Sequence, residues 1–178
     1  QRFRRKWLAG KEKVASNALG DVTLVTSRAF MNRLVAIDNY KRTDDPATIS
    51  PMVISGTHAL DMCMWYLEKK TPVECYARSI DKVLGPLYQG IDATAGMIMM
   101  SDGCIYHLNI SWALPVTWPG AVYSLEVGIT GTDGVLTIDD THRDMVLAVS
   151  KPQSEGYAPD QTRLVDFLGS YPPGDMAL

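Results

Sequence analysis

Hydrophobic and polar positions change period several times along the chain. Over residues 1–19, "QRFRRKWLAGKEKVASNAL", Phe3, Trp7, Val14 and Ala18 fall roughly on one helical stripe, so the stretch reads as a helix that Gly20 is placed to end. Gly10 weakens its middle. Residues 21–30, "DVTLVTSRAF", are rich in β-branched side chains and read as a strand. Residues 38–50, "DNYKRTDDPATIS", are polar with one proline and read as a long loop, a feature that in compact domains often carries function. A helix follows at about 57–69, which Ser55 or Thr57 can cap. Ala59, Leu60, Met62, Cys63, Met64, Trp65, Tyr66 and Leu67 leave it hardly any polar side, so it is expected to be covered nearly all round.

Beyond that helix the period drops to two. Strand-like runs occupy 72–80, then 93–100 and 104–112 around the turn "SDG", then 123–130 and 135–139 around "GTDG", then 144–150. Turns this short force antiparallel pairing. In 104–112 the alternation is clear: Cys104, Tyr106, Leu108, Ile110 and Trp112 face one way, and Ile105, His107, Asn109 and Ser111 the other. One face is therefore apolar, and the other is wetter or meets a partner. The methionines of "GMIMM" (96–100) read as core or interface filler rather than a cofactor box. The tail, 151–178, carries Pro and Gly throughout and one apolar run, "LVDFL", and reads as an ordered wrap or loop. The sum is an α+β fold over 1–178: a large, mostly antiparallel open sheet with helices on one face, led by a helix over 1–20.

Composition narrows the class. The chain has 178 residues, 46% hydrophobic and 21% charged, which fits a soluble globular domain. A net charge of −3 weighs against nucleic acid or an anionic membrane as partner, because the basic run "RFRRK" is offset elsewhere. No apolar run approaches the roughly 18 residues of a membrane span. The three cysteines, Cys63, Cys75 and Cys104, are odd in number and widely spaced, so neither a disulfide framework nor a structural zinc site is expected. A reducing, cytoplasmic setting is expected instead. The chain opens without Met inside a helix and stops at "GDMAL", so more sequence is expected on both sides.

The chemistry centres on "ISGTHALDMCMWYLE" (54–68). His58 and Asp61 are i and i+3, on one helical face, with Trp65 below them. In a first turn the helix dipole disfavours imidazolium. A neutral ring accepts a proton from a substrate hydroxyl, and Asp61 could orient the ring or tie down backbone. The plainer alternative is a histidine satisfied by capping. His107 reads as part of a polar sheet face, and His142, in "DDTHRD", as a turn residue. "GITGTDG" lies between two strands, so it is no phosphate loop, and no G-x-G-x-x-G precedes a helix anywhere.

Taken in order, these segments resemble the glucose–fructose oxidoreductase / inositol dehydrogenase (Gfo/Idh/MocA) family. The G-x-H-x-x-D segment is Gly56, His58 and Asp61, followed by Trp65 and Leu67, then by Pro72, Glu74 and Ala77 in the next strand. "MSDGCIYHLNISWALP" and "LEVGITGTDGVLTID" resemble two hairpins of that family, and residues 1–22 resemble the helix leaving its nucleotide-binding domain. The likeness spans about residues 1–150.

The resemblance implies a two-domain oxidoreductase. A preceding Rossmann domain binds NAD or NADP and carries a lysine. The α+β domain holds the substrate and builds dimers or tetramers through its open sheet face. Hydride then moves between the nicotinamide and a hydroxyl or carbonyl carbon of a sugar, polyol or related small molecule. The resemblance places His58 as the acid/base or orienting residue. It suggests Arg28, Asn32, Arg33, Tyr40, Thr57, Asp61 and Trp118 as substrate contacts, with no metal and no cofactor site in this chain. Arg28 and Arg33 have paired donors suited to a carboxylate or phosphate, or stand as plain surface arginines. One departure stands out: many members carry an aspartate four residues before the histidine, where this chain has Ile54. That departure favours a second reading, a non-catalytic binding or assembly module on the same scaffold.

Overall fold

A computed structural model describes residues 1–115, 123–139, 145–149 and 161–165. In chain order they form α1 (Arg5–Ala15), β1 (Val22–Asn32), α2 (Arg33–Arg42), a 3-10 turn (Pro46–Thr48), a π-helical turn (Met52–Gly56), α3 (Thr57–Tyr66), β2 (Pro72–Ile80), α4 (Gly85–Tyr88), β3 (Ala93–Met100), β4 (Ile105–Leu114), β5 (Tyr123–Gly131), β6 (Gly134–Asp139), β7 (Met145–Val149) and β8 (Gln161–Val165). The strands make one sheet in the order β2-β3-β4-β1-β5-β6-β7-β8. Every neighbouring pair is antiparallel except β1 and β4, which run parallel. The α+β class, the mostly antiparallel sheet and the helices on one face are thus as the sequence pattern indicated.

Alternation of side chains along each strand decides which face is covered. On β4, Tyr106, Leu108, Ile110 and Trp112 are buried, as are Val25 and Ala29 on β1 and Leu125, Val127 and Ile129 on β5. Trp7 of α1 and Ala59, Met62, Cys63 and Tyr66 of α3 pack on that face and complete the main core. Each such large apolar side chain contributes about 1.5–3 kcal/mol by leaving water. A smaller cluster, Ala36, Tyr40, Leu84 and Trp112, lies against one end of the sheet, where α2, the π turn and the last residues of β1 and β4 gather. Among the described residues, no helix covers the opposite face of the sheet.

Several local expectations are revised. Residues 38–42, expected to open the 38–50 loop, instead end a helix over Arg33–Arg42, because Asn32 accepts the Leu34 N–H at 2.9 Å and so caps a helix whose Ala36 and Tyr40 turn inward. The first helix ends at Ala15, not near Gly20; Asn17, at φ 59°, supplies the left-handed residue that ends it. Gly10 has a positive use. A Cβ there would lie 2.6 Å from Ile138 Cδ1 and 2.9 Å from Tyr66 Oη, so glycine lets α1 close onto both the sheet and α3. The tail contributes a strand, β8, on β7.

Candidate functional site

The helix carrying His58 starts earlier than its sequence signals. Pro51 leads into a π-helical turn over Met52–Gly56, which runs directly into α3. Ser50 is the residue that caps it: its hydroxyl accepts the Val53 N–H at 3.2 Å and its carbonyl the Ile54 N–H at 3.1 Å. Neither Ser55 nor Thr57 is the cap. The Thr57 hydroxyl donates back to the Ile54 carbonyl at 2.9 Å. Ser55 is buried, and its hydroxyl accepts the indole N–H of Trp112 at 2.6 Å. The amide end of the helical segment therefore lies at residues 50–54. His58 is not in the first turn, and the dipole field acts mainly within that turn.

A π turn holds one residue more than an α turn and so rotates the side chains that follow it. The turn is fixed on two sides. Trp112 holds Ser55 to β4, and Gly56 lies so close to the Met52 side chain that an added Cβ would sit 2.7 Å from its sulfur. Ala59, Met62, Cys63 and Tyr66 are then turned toward the sheet, while Thr57, His58 and Asp61 are exposed. The expectation that this helix is covered nearly all round is corrected: Leu60, Met64 and Trp65 are only half-buried. The reason is that α1 covers only the side where Trp7 packs.

His58 and Asp61 share the exposed face but do not form a pair. Both carboxylate oxygens of Asp61 accept from Arg2, at 2.9 Å from Nε and 2.5 Å from Nη2. Arg2 and Lys11 also approach the Trp65 ring, at 5.7 and 5.6 Å from its centroid. No described residue hydrogen-bonds the His58 ring. The imidazole therefore stands in the open, with both nitrogens available.

The remaining candidates divide into two groups. Asn32, Arg33 and Tyr40 lie at the sheet end where the π turn sits. Each is engaged: Asn32 caps α2, and Arg33 donates to the carbonyls of Leu114 and Ala113 at 3.3 and 3.4 Å. Tyr40 is buried, accepts the Ile91 N–H at 3.2 Å, stacks on Tyr88 and meets Trp112 edge-on. Arg28 is on the open face, opposite the helices. It pairs with Glu126 at 2.6 Å and lies over the Phe30 ring. The structure does not bring Arg28 together with His58. Trp118 and His142 lie outside the described residues.

Beneath α3 is a buried polar patch that the sequence pattern did not disclose. Ser27 and Tyr106 hydroxyls meet at 2.7 Å below Cys63, and the Tyr66 hydroxyl donates to the Trp7 carbonyl at 2.9 Å. Burial pushes the Cys63 thiol up to about 12, and raises the Tyr66 and Tyr106 phenols as well. These groups stay protonated and act structurally. A cleft of ≈ 380 Å³ lies between the ends of α1 and α3 and the start of β1; its Lys11 and Lys70 are held by Glu68 and Asp102. A trough of ≈ 420 Å³ crosses the open face, walled by Phe30 and Arg78 and floored by Ala93, Ala95 and Ser111. His58 lines neither. Among the described residues no group of three or more His, Cys, Asp or Glu could hold a metal, and no helix is long and apolar enough to cross a membrane.

Comparison with solved structures identifies the scaffold. An oxidoreductase of Thermotoga maritima, described as putative in its source, superposes at TM-score 0.67 with 18% identity, over 93% of this chain and 46% of its own. The scyllo-inositol dehydrogenase of Lactobacillus casei, solved with NAD(H) and scyllo-inositol, gives TM-score 0.63 and 18% identity over 77% of this chain and 39% of its own. The WlbA dehydrogenase of Bordetella pertussis, with NADH and UDP-GlcNAcA, gives 0.68 and 14% over 87% and 46%. This chain spans less than half the length of each. No curated protein matches it in sequence. The sequence profile of the GFO/IDH/MocA C-terminal domain matches residues 7–137, and with its helix-backed antiparallel sheet the chain belongs to that family.

Proposed function

We propose that this chain is the substrate-binding and subunit-assembly half of a nicotinamide-dependent oxidoreductase. The whole protein transfers hydride between NAD or NADP and a hydroxyl or carbonyl carbon of a sugar, polyol or related small molecule. The observation that carries the reading is His58: an exposed imidazole with no described partner, on a helix whose other side is anchored in the core. No G-x-G-x-x-G turn occurs in this chain, so its own residues do not fit a dinucleotide. The nicotinamide, which supplies or takes the hydride, belongs to a preceding domain.

What this chain contributes is positioning and proton transfer. A ring nitrogen of His58 takes the proton of the substrate hydroxyl, or returns it in the reductive direction. The Thr57 hydroxyl spends its proton on the Ile54 carbonyl and keeps lone pairs to accept from substrate. Asp61, held by Arg2, places its carboxyl group on the same exposed face. Asn32 and Arg33, at the sheet end beside the π turn, are the further polar contacts of this reading, and Tyr40 supports them by packing. Trp118 stays a candidate contact outside the described residues. Arg28 belongs instead to the open face, where Leu24, Tyr76, Met97 and Val135 leave apolar surface exposed. Exposure of that kind supports assembly into a dimer or tetramer through the sheet.

The test is His58→Ala in the complete protein, with NADH- or NADPH-linked turnover measured on a panel of polyols and sugars. Loss of a positioned acid/base costs about 10²–10⁴-fold, while an exposed site leaves stability within about 0.5 kcal/mol. Unchanged turnover refutes the role. This chain alone is expected to turn nothing over. A second reading, the non-catalytic module, is favoured by Ile54, which packs against the small core cluster where many relatives are expected to carry an acid. Failure of the complete protein to bind NADH and NADPH in a fluorescence titration would decide for it.

A further inference from the structure

β2 is the outermost strand of the sheet, and among the described residues its outer edge pairs with nothing. All nine of its residues are exposed, on both faces. An edge this long is normally blunted, and Glu74 and Arg78, with a proline and a register shift at the Pro72 end, read at first as such guards. Their spacing points elsewhere.

We propose that β2 pairs edge to edge with β2 of a second copy of this chain, antiparallel, about a two-fold axis through Tyr76. Opposed residues in an antiparallel pair share a face, so the axis must pass through a residue and not between two. An axis on Glu74 or on Arg78 sets like charges against each other. On Cys75 it puts Glu74 against Tyr76, and on Ala77 it puts Glu74 against Ile80. Only an axis on Tyr76 places Glu74 of each copy directly opposite Arg78 of the other. Tyr76 is also the midpoint of Pro72–Ile80, so the same register pairs the strand over its full length. Charge complementarity and maximal overlap therefore select one arrangement.

The side chains are arranged for it. Glu74, Tyr76 and Arg78 lie on the open face of the strand, and Arg78 Nε already donates to the Tyr76 hydroxyl at 2.9 Å with the guanidinium over the ring. In the pair, two such Tyr–Arg units meet at the axis, and each arginine reaches the opposing glutamate. Proline at one end lacks only a terminal ladder donor. The backbone edge that would pair is distinct from the open face, although Glu74, Tyr76 and Arg78 border it, and the inference stands or falls independently of hydride transfer.

The experiment is analytical ultracentrifugation of this chain, from about 1 to 200 µM, as wild type, Arg78→Glu, Glu74→Arg and the double exchange. Circular dichroism confirms folding. Each single change replaces two attractive pairs by two repulsive ones, and self-association should weaken at least about tenfold. The double exchange restores both pairs and should recover wild-type association. Amide exchange over residues 72–80 should slow as concentration rises. A monomer throughout the range, a double variant as weak as the singles, or exchange at 72–80 that ignores concentration would each overturn the proposal.

Discussion

Ser55→Ala tests how the turn before His58 is held. Ser55 is 1% exposed and Trp112 is 0% exposed, and their hydrogen bond of 2.6 Å joins the π turn to β4. Alanine removes the acceptor and leaves the indole N–H buried with no partner. An unsatisfied buried donor costs about 1–3 kcal/mol, so about 2 kcal/mol is expected. For a domain of this size 1 kcal/mol shifts Tm by about 2–4 °C, which gives a fall of about 4–8 °C. Urea unfolding should show a lower midpoint with an unchanged slope, since no surface is newly exposed in the folded state. Trp112→Phe supplies the other arm of a double-mutant cycle. It costs packing as well, but the coupling between the two sites should be about 1 kcal/mol or more. The Ser55 hydroxyl left behind can turn to a helix carbonyl, which is why the two single effects are unequal. A loss below about 0.5 kcal/mol for Ser55→Ala, or a coupling of zero, would refute the clamp.

Other outcomes follow from the same geometry. Arg28→Ala should leave turnover of the complete enzyme unchanged and cost less than about 1 kcal/mol, because its ion pair with Glu126 is half-exposed and on the far face; a strong effect on KM would return Arg28 to the substrate site. In the native chain Cys75 should react with a thiol reagent at once, and Cys63 and Cys104 only on unfolding, as mass mapping of the adducts would check. Stability should fall in alkali. The folded Cys63 thiol keeps its proton up to about 12, whereas the unfolded thiol loses it near about 8.5, so its stabilising effect is complete below the lower value and lost as pH climbs toward the higher. Cys63→Ala should flatten the stability–pH curve in that window, whatever it does at neutral pH. A curve of unchanged slope would contradict the burial argument.

The sequence by itself determined the strands from β1 to β7, both hairpins and the apolar face of β4; β8 in the tail was not among them. Period-two alternation states directly which residues share a face, and a two-residue turn admits only antiparallel neighbours. It also determined that His58 and Asp61 would share a helical face, since spacing alone settles that. Only the tertiary structure decided the rest. Strand parity put Arg28 opposite Ala29, but which of the two faces receives helices depends on where α1 and α3 dock, through contacts such as Trp7 and Met62 that strand alternation does not encode. The parallel pairing of β1 with β4 arises from a long crossover that no local turn encodes. Tyr40 looked like a loop residue because its partners, Tyr88, Ile91 and Trp112, are distant in sequence. The π turn has no sequence signature, since it depends on Ser55 finding Trp112. Asp61 was free to serve His58 until Arg2 took both its oxygens. Local pattern fixes periodicity, whereas long-range contacts choose partners, and the position of His58 depends on both.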